Sequence, residues 1–142
     1  MIYTLLTKKA MKLCFDKHKD QFDKCGVPYP FHPFHVAESM DDEYSTCVAL
    51  LHDIVEDTDV TFEDLESMEF PKEVIDAIRL MTHNSDEPYL EYVKRIKSNE
   101  IAKKVKISDL THNSDITRLD VITERDIERN EKYKKALEIL KG

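Results

Sequence analysis

STCVALLHDIVED, residues 45–57, is the most apolar stretch of the chain, and its reading decides the fold. Over 43–55 it is hydrophobic nearly all round, which predicts a helix buried on every side. The segments on either side have helical spacing too. Leu6, Ala10, Leu13 and Cys14 recur between lysines over 4–19. Val74, Ala77, Ile78 and Met81 follow Pro71, and Tyr89, Tyr92, Val93 and Ile96 follow Pro88, each proline opening a helix. Residues 100–112 carry Ile101, Ala102 and Val105 on one face, and Tyr133, Leu137 and Leu140 form the inner stripe of a last helix. Thr61 with Asp64, and Thr123 with Asp126, have the spacing of helix N-terminal caps. CGVPYPFHP, residues 25–33, predicts an irregular connection, with Pro33 as the first residue of a short helix and His32 at its entrance. No segment alternates as a strand would, and two glycines are too few for a chain full of tight β-turns. The expectation is an all-α, compact multi-helix domain over 1–142, without repeats or a dividing linker.

Composition narrows the partners. No apolar run approaches the ~20 residues of a membrane span. The first residues, MIYTLLTKKAMKL, lack the apolar stretch of a secretory signal, so a cytoplasmic address and no membrane partner are expected. Cys14, Cys25 and Cys47 are odd in number and form no CxxC pair, which fits reduced thiols better than disulfides or a zinc ribbon. The net charge is −8 and no basic block exceeds two residues, which argues against nucleic acid. A small anionic ligand stays open, because a metal ion and a few lysines can offset a global negative charge locally.

Three features do not fit an ordinary core. His52 and Asp53 stand side by side inside the apolar stretch. Unpartnered, each would cost several kcal/mol there, roughly 2–7 for a polar group by transfer data. Either they hydrogen-bond to one another or they share a metal. Glu56 and Asp57 come one turn later on the same predicted helix, so HDIVED gathers four ionisable groups at one helix end. Asp109, in KISDLTHN (106–113), lies on the face of Ala102 and Val105, and Asn113 follows one turn on. It is either a bridging carboxylate or a ligand. His32 is fixed between aromatics and prolines. Together His32, His52, Asp53 and Asp109 offer two nitrogens and two oxygens, a donor set suited to manganese, iron or zinc. Glu56 and Asp57 would remain for proton transfer.

The order H…HD…D resembles the HD-domain phosphohydrolase superfamily, and HDIVEDTDVTFEDL (52–65) looks like the hydrolase domain of RelA/SpoT-type proteins and their small single-domain homologues. Those proteins remove the 3′-pyrophosphate of (p)ppGpp using manganese. The likeness runs from about residue 18 to 119. HKDQFDKCGVPYPFHP (18–33) matches the family's first motif and points to His32, rather than His35, as first ligand. ALLHDIVEDT (49–58) matches the motif with ligands His52 and Asp53 and the catalytic acids Glu56 and Asp57. KISDLTHN matches the segment with the last ligand, Asp109, and a nucleotide contact, Asn113. The resemblance thus implies an HD-domain fold around a central metal site and a ppGpp 3′-pyrophosphohydrolase with one divalent ion, Mn2+ first among candidates. Lys24 would offset phosphate charge.

Two departures stand out. Asp23 precedes Lys24 where the family has an Arg-Lys pair, and the stretch between His32 and His52 is several residues shorter than usual. Asp23 keeps a different nucleotide substrate in view, and a non-catalytic nucleotide or metal sensor is the rival from another class. The synthetase and regulatory domains of long RelA/SpoT proteins are not matched, so alarmone synthesis is not expected. His83 is expected to end a helix. His18 and His112 carry no assigned role, and the oligomeric state is not read from the sequence.

Overall fold

The computed structural model describes residues 1–142. Its helices are α1 (Leu5–His18), α2 (Phe31–Glu38), α3 (Glu43–Leu51), α4 (Ile54–Asp57), α5 (Phe62–Ser67), α6 (Lys72–Met81), α7 (Tyr89–Ile96), α8 (Glu100–Asn113) and α9 (Glu124–Lys141). A 3₁₀ turn at Ile116–Arg118 joins the last two, and there is no strand beyond one isolated bridge between Phe22 and Pro28. None of the helices is long and apolar enough to cross a membrane.

The apolar stretch is the hub, as its pattern predicts. Every residue from Ser45 to Leu51 is buried, and α3 packs against α1, α2, α6 and α8. Its two hydroxyls do not disturb the core: Thr46 Oγ1 donates to Asp42 O at 2.7 Å, within the helix's own first turn. Burying each of Leu50, Leu51 and Ile54 completely contributes about 1.5–3 kcal/mol. The predicted stripes of α6 and α8 face this hub, with Val74, Ala77, Ile78, Ala102 and Val105 fully buried. The Thr61 and Thr123 caps both form as reciprocal boxes with Asp64 and Asp126.

Two boundaries differ from the sequence expectation. The helix through Ala37 begins at Phe31, not at Pro33. Pro33 is accommodated in the first turn, where an N–H would have no intrahelical partner. His32 therefore sits inside α2. More consequentially, the helix over 43–55 is not continuous. It ends at Leu51, and Asp53 leaves the helical region at φ −104°, ψ 1° before α4 begins. Neighbouring residues on an unbroken helix point about 100° apart and converge on one target less readily. The break removes that restriction for His52 and Asp53.

Candidate active site

The site is assembled from three backbone segments. The loop after α1 turns through Gly26 at φ 75° and returns along itself, Tyr29 N–H donating to Gln21 O at 2.8 Å. Pro28 and Pro30 then stiffen the approach to α2, which carries His32 into the interior. The α3–α4 break supplies His52 and Asp53. The buried face of α8 supplies Asp109.

His32, His52 and Asp109, all nearly inaccessible to solvent, place their donor atoms within 4.8 Å of one another. His32 Nε2 lies 2.7 Å from Asp109 Oδ1, and His52 Nε2 lies 3.4 Å from that oxygen. Asp53 Oδ2 is 3.1 Å from His52 Nε2. A second group with the same 4.8 Å spread contains Asp53, Glu56 and Asp57. Asp53 is thus the link between the buried triad and the two acids at the surface. All six residues singled out for ligation and proton transfer lie in one continuous patch.

His52 tests whether these residues suit a cation. Its Nδ1 lies 2.6 Å from Ala49 O, so Nδ1 carries the proton and Nε2 of the neutral ring is a bare lone pair. That Nε2 is buried and makes no hydrogen bond, although two carboxylate oxygens face it. A lone pair pointed at two anions is unfavourable unless a positive charge comes between them. Burial opposes charging His52, yet Asp53 and Asp109 hold it well above the ordinary imidazole range, so without an ion a proton on Nε2 takes the place of the cation. The pocket attracts positive charge, and two imidazoles with two carboxylates fit a divalent ion.

Surrounding groups fix the ligands. Lys106 Nζ donates to Asp109 Oδ2 at 2.8 Å, and Asn113 Nδ2 donates to Oδ1 at 3.1 Å. Against the cost of burial, Lys106 and the two histidines keep Asp109 well below the usual carboxylate range. Tyr29 Oη donates to Asp53 Oδ2. Among the acids, Glu56 Oε1 accepts the backbone N–H of His83 at 2.8 Å. Burial, with Asp53 and Glu56 close by, pushes the Asp57 carboxyl up to about 6. His18 is buried and bonds Gln21 Oε1 at 2.7 Å, and Gln21 in turn donates to Asp57 O at 2.9 Å.

Beside His32 opens a cavity of about 260 Å³, walled by Phe22, Lys24, Tyr29, Asn113, Arg118 and Arg129. Lys24 and Asn113 both line it. Burial and the neighbouring Arg129 and Lys132 pull Lys24 below the ordinary lysine range, the signature of crowded cations. Asp23 is not a free anion here. Its Oδ1 accepts the N–H groups of Cys25 and Val27, and its Oδ2 accepts from Arg118 Nη2 at 3.1 Å. Sequence reasoning missed Tyr29, Lys106, Arg118 and Arg129. Lys106, one turn before Asp109, was findable by helical spacing. Nothing in the sequence around Arg118 marks it.

No family model matches the chain. It is 32% identical to the guanosine-3′,5′-bis(diphosphate) 3′-pyrophosphohydrolase MESH1 of Danio rerio over 78% of this chain and 68% of that protein. The Drosophila melanogaster protein of the same name is 31% identical over 89% of this chain and 79% of its own length. The bifunctional (p)ppGpp synthase/hydrolase SpoT of Escherichia coli is 30% identical over 75% of this chain, a match confined to 17% of SpoT. Among solved structures, one described as a metazoan orthologue of SpoT that hydrolyses ppGpp superposes with a TM-score of 0.81. Its sequence identity is 24%, and the match covers 100% of this chain and 89% of that one. At that identity it speaks for the all-helical fold.

Proposed function

Since this chain belongs to the family of MESH1-type guanosine-3′,5′-bis(diphosphate) 3′-pyrophosphohydrolases, we propose that it hydrolyses ppGpp to GDP and pyrophosphate. We further propose that His32, His52, Asp53 and Asp109 hold one divalent ion, manganese first, with iron or zinc compatible with the same donors. The observation that carries this reading is the buried Nε2 of His52 facing two carboxylates, in contact with His32, which itself lines a cavity walled by cations.

When bound, such an ion supplies a Lewis acid and lowers the pKa of water. The chain's own residues divide the remaining work. Lys24, Arg118 and Arg129 hold the anionic nucleotide from the cavity wall, and Asn113 donates beside them. Attack by water on the phosphorus joined to the 3′-oxygen breaks that P–O bond, and the departing 3′-oxygen must gain a proton. Two neighbouring carboxyls, Glu56 and Asp57, suit the two ends of that exchange. Asp57, beside Asp53 at the surface end of the patch, is placed to pass that proton. Glu56, anchored on the His83 N–H, orients the water. Tyr29 keeps Asp53 turned toward His52. The three unpaired cysteines accord with a reducing compartment such as the cytoplasm.

A different 3′-phosphorylated nucleotide is the second reading, favoured by Asp23 in the cavity wall. To separate the two, manganese-loaded protein is incubated with ppGpp and the products resolved by anion exchange, with Asp109→Ala as blank. GDP and pyrophosphate from the intact protein alone are expected. Neither product, from protein that retains its metal, would transfer the proposal to another nucleotide.

A further inference from the structure

His112 has no place in the scheme above, yet it touches a proposed ligand. Its Nδ1 lies 2.7 Å from Nδ1 of His32. The two ring planes are 8° apart and the centroids 5.0 Å apart. That centroid separation is the span of two ring radii plus one hydrogen bond, so the rings meet edge to edge, nearly coplanar, rather than face to face. His35 stacks on the other side of His112 at 4.0 Å, and Arg118 Nη1 donates to the His112 carbonyl at 3.0 Å. The ring is held from its face and from its backbone.

The direction of the His32–His112 bond follows from what lies on the far side of His32. There Nε2 is 2.7 Å from Asp109 Oδ1, and an ionised carboxylate only accepts. With Nε2 donating to Asp109, the Nδ1 of the neutral tautomer of His32 is left to accept, and His112 Nδ1 is the donor that meets it. A metal on His32 Nε2 needs that nitrogen's lone pair. The hydrogen of His32 then resides on Nδ1, and His112 Nδ1 must accept.

We propose that His112 is a positioning residue of the metal centre, whose hydrogen bond to His32 reverses direction when the site is loaded. The proton balance closes within the pair. His32 gives up its Nε2 proton to solvent and takes one at Nδ1 from His112, and His112 regains one from solvent at its own Nε2. The exchange of tautomers releases no net proton from the pair. His52 needs no such device, because its Nδ1 is already committed to Ala49 O. The inference rests on the proposed ligand role of His32, and it extends that role to a residue one shell out. Outer partners of this kind typically account for ~10–100-fold in metal affinity.

Long-range 1H–15N correlation on the labelled wild-type protein, titrated with Zn2+ as a diamagnetic probe, reads the tautomers directly. Zinc is expected to move the protonated nitrogen of His32 from Nε2 to Nδ1 and that of His112 from Nδ1 to Nε2. An unchanged His112 tautomer in protein whose His32 binds zinc overturns the proposal. Chelator competition for Mn2+ gives a second readout. His112→Leu should lose roughly 10–100-fold in affinity. His112→Asn, whose amide can donate or accept at the same place, should lose only a few-fold. Full affinity in the leucine variant overturns the role of His112 while leaving the ligand set intact. A wild-type protein that binds neither ion overturns the ligand set and, with it, this inference.

Discussion

Arg118 Nη2 and Asp23 Oδ2 meet at 3.1 Å across the mouth of the cavity, joining the loop after α1 to the 3₁₀ turn after α8. A free acid at position 23, where the resemblance has an arginine, would repel phosphate. The ion pair neutralises that acid and presents a guanidinium in the same wall. Arg118→Ala is therefore expected to raise KM for ppGpp about tenfold or more, the loss of one charge-assisted contact. Arg118→Lys should recover only part, because a lysine lacks the planar fork. Steady-state kinetics decides, and an unchanged KM for Arg118→Ala removes the residue from the binding site.

Glu56→Gln is expected to keep the metal and lower kcat by ~10²–10⁴-fold, the usual contribution of an acid–base group. Metal content by elemental analysis and kcat on the same sample check both halves. A normal rate would take Glu56 out of the mechanism.

Much of this site is legible in the sequence, and for a definable reason. His52, Asp53 and Asp109 announced themselves as ionisable groups on otherwise apolar faces, and all three lie in the patch those faces converge on. The caps at Thr61 and Thr123 and the prolines opening α6 and α7 are local signals, and each element forms where its signal stands. The break after Leu51 was not legible, because apolar residues continue through Ile54 and Val55 and give the same pattern whether or not the helix is interrupted. Arg118 and His112 were illegible for a different reason. Their roles come from Asp23 and His32, 95 and 80 positions away, and no local pattern encodes such pairings.

Asp57 gives a pH-dependent prediction for metal-free protein. Unfolded, its carboxyl titrates near the ordinary 3.8, and folded it is held near 6. Between those values the native state binds more protons than the unfolded state, so this residue's contribution to stability falls as pH rises through the window. Asp57→Asn should accordingly melt at a higher temperature than wild type at about pH 7, and the gain should shrink toward zero near pH 4. Thermal melts in chelator at several pH values test this. A gain that is the same at both ends would place its origin elsewhere.

The cysteines should divide two to one. Burial pushes the thiols of Cys14 and Cys47 up to about 12, while Cys25 lies partly exposed in the loop before α2. Thiolate, not thiol, is the nucleophile. A disulfide reagent should titrate one thiol in native protein and three after denaturation. Rapid reaction of a second thiol in the native state would contradict the packing of α1 against α3.

The central claim is that one ion, held by residues from α2, the α3–α4 break and α8, enables hydrolysis of ppGpp. The most direct measurement is the rate of GDP release from ppGpp as manganese is titrated into chelator-stripped protein at concentrations well above its affinity. Activity should be absent at the start, rise linearly and level off at one equivalent, with Asp109→Ala flat throughout. Full activity in the stripped protein, or a wild-type rate from Asp109→Ala, would contradict it.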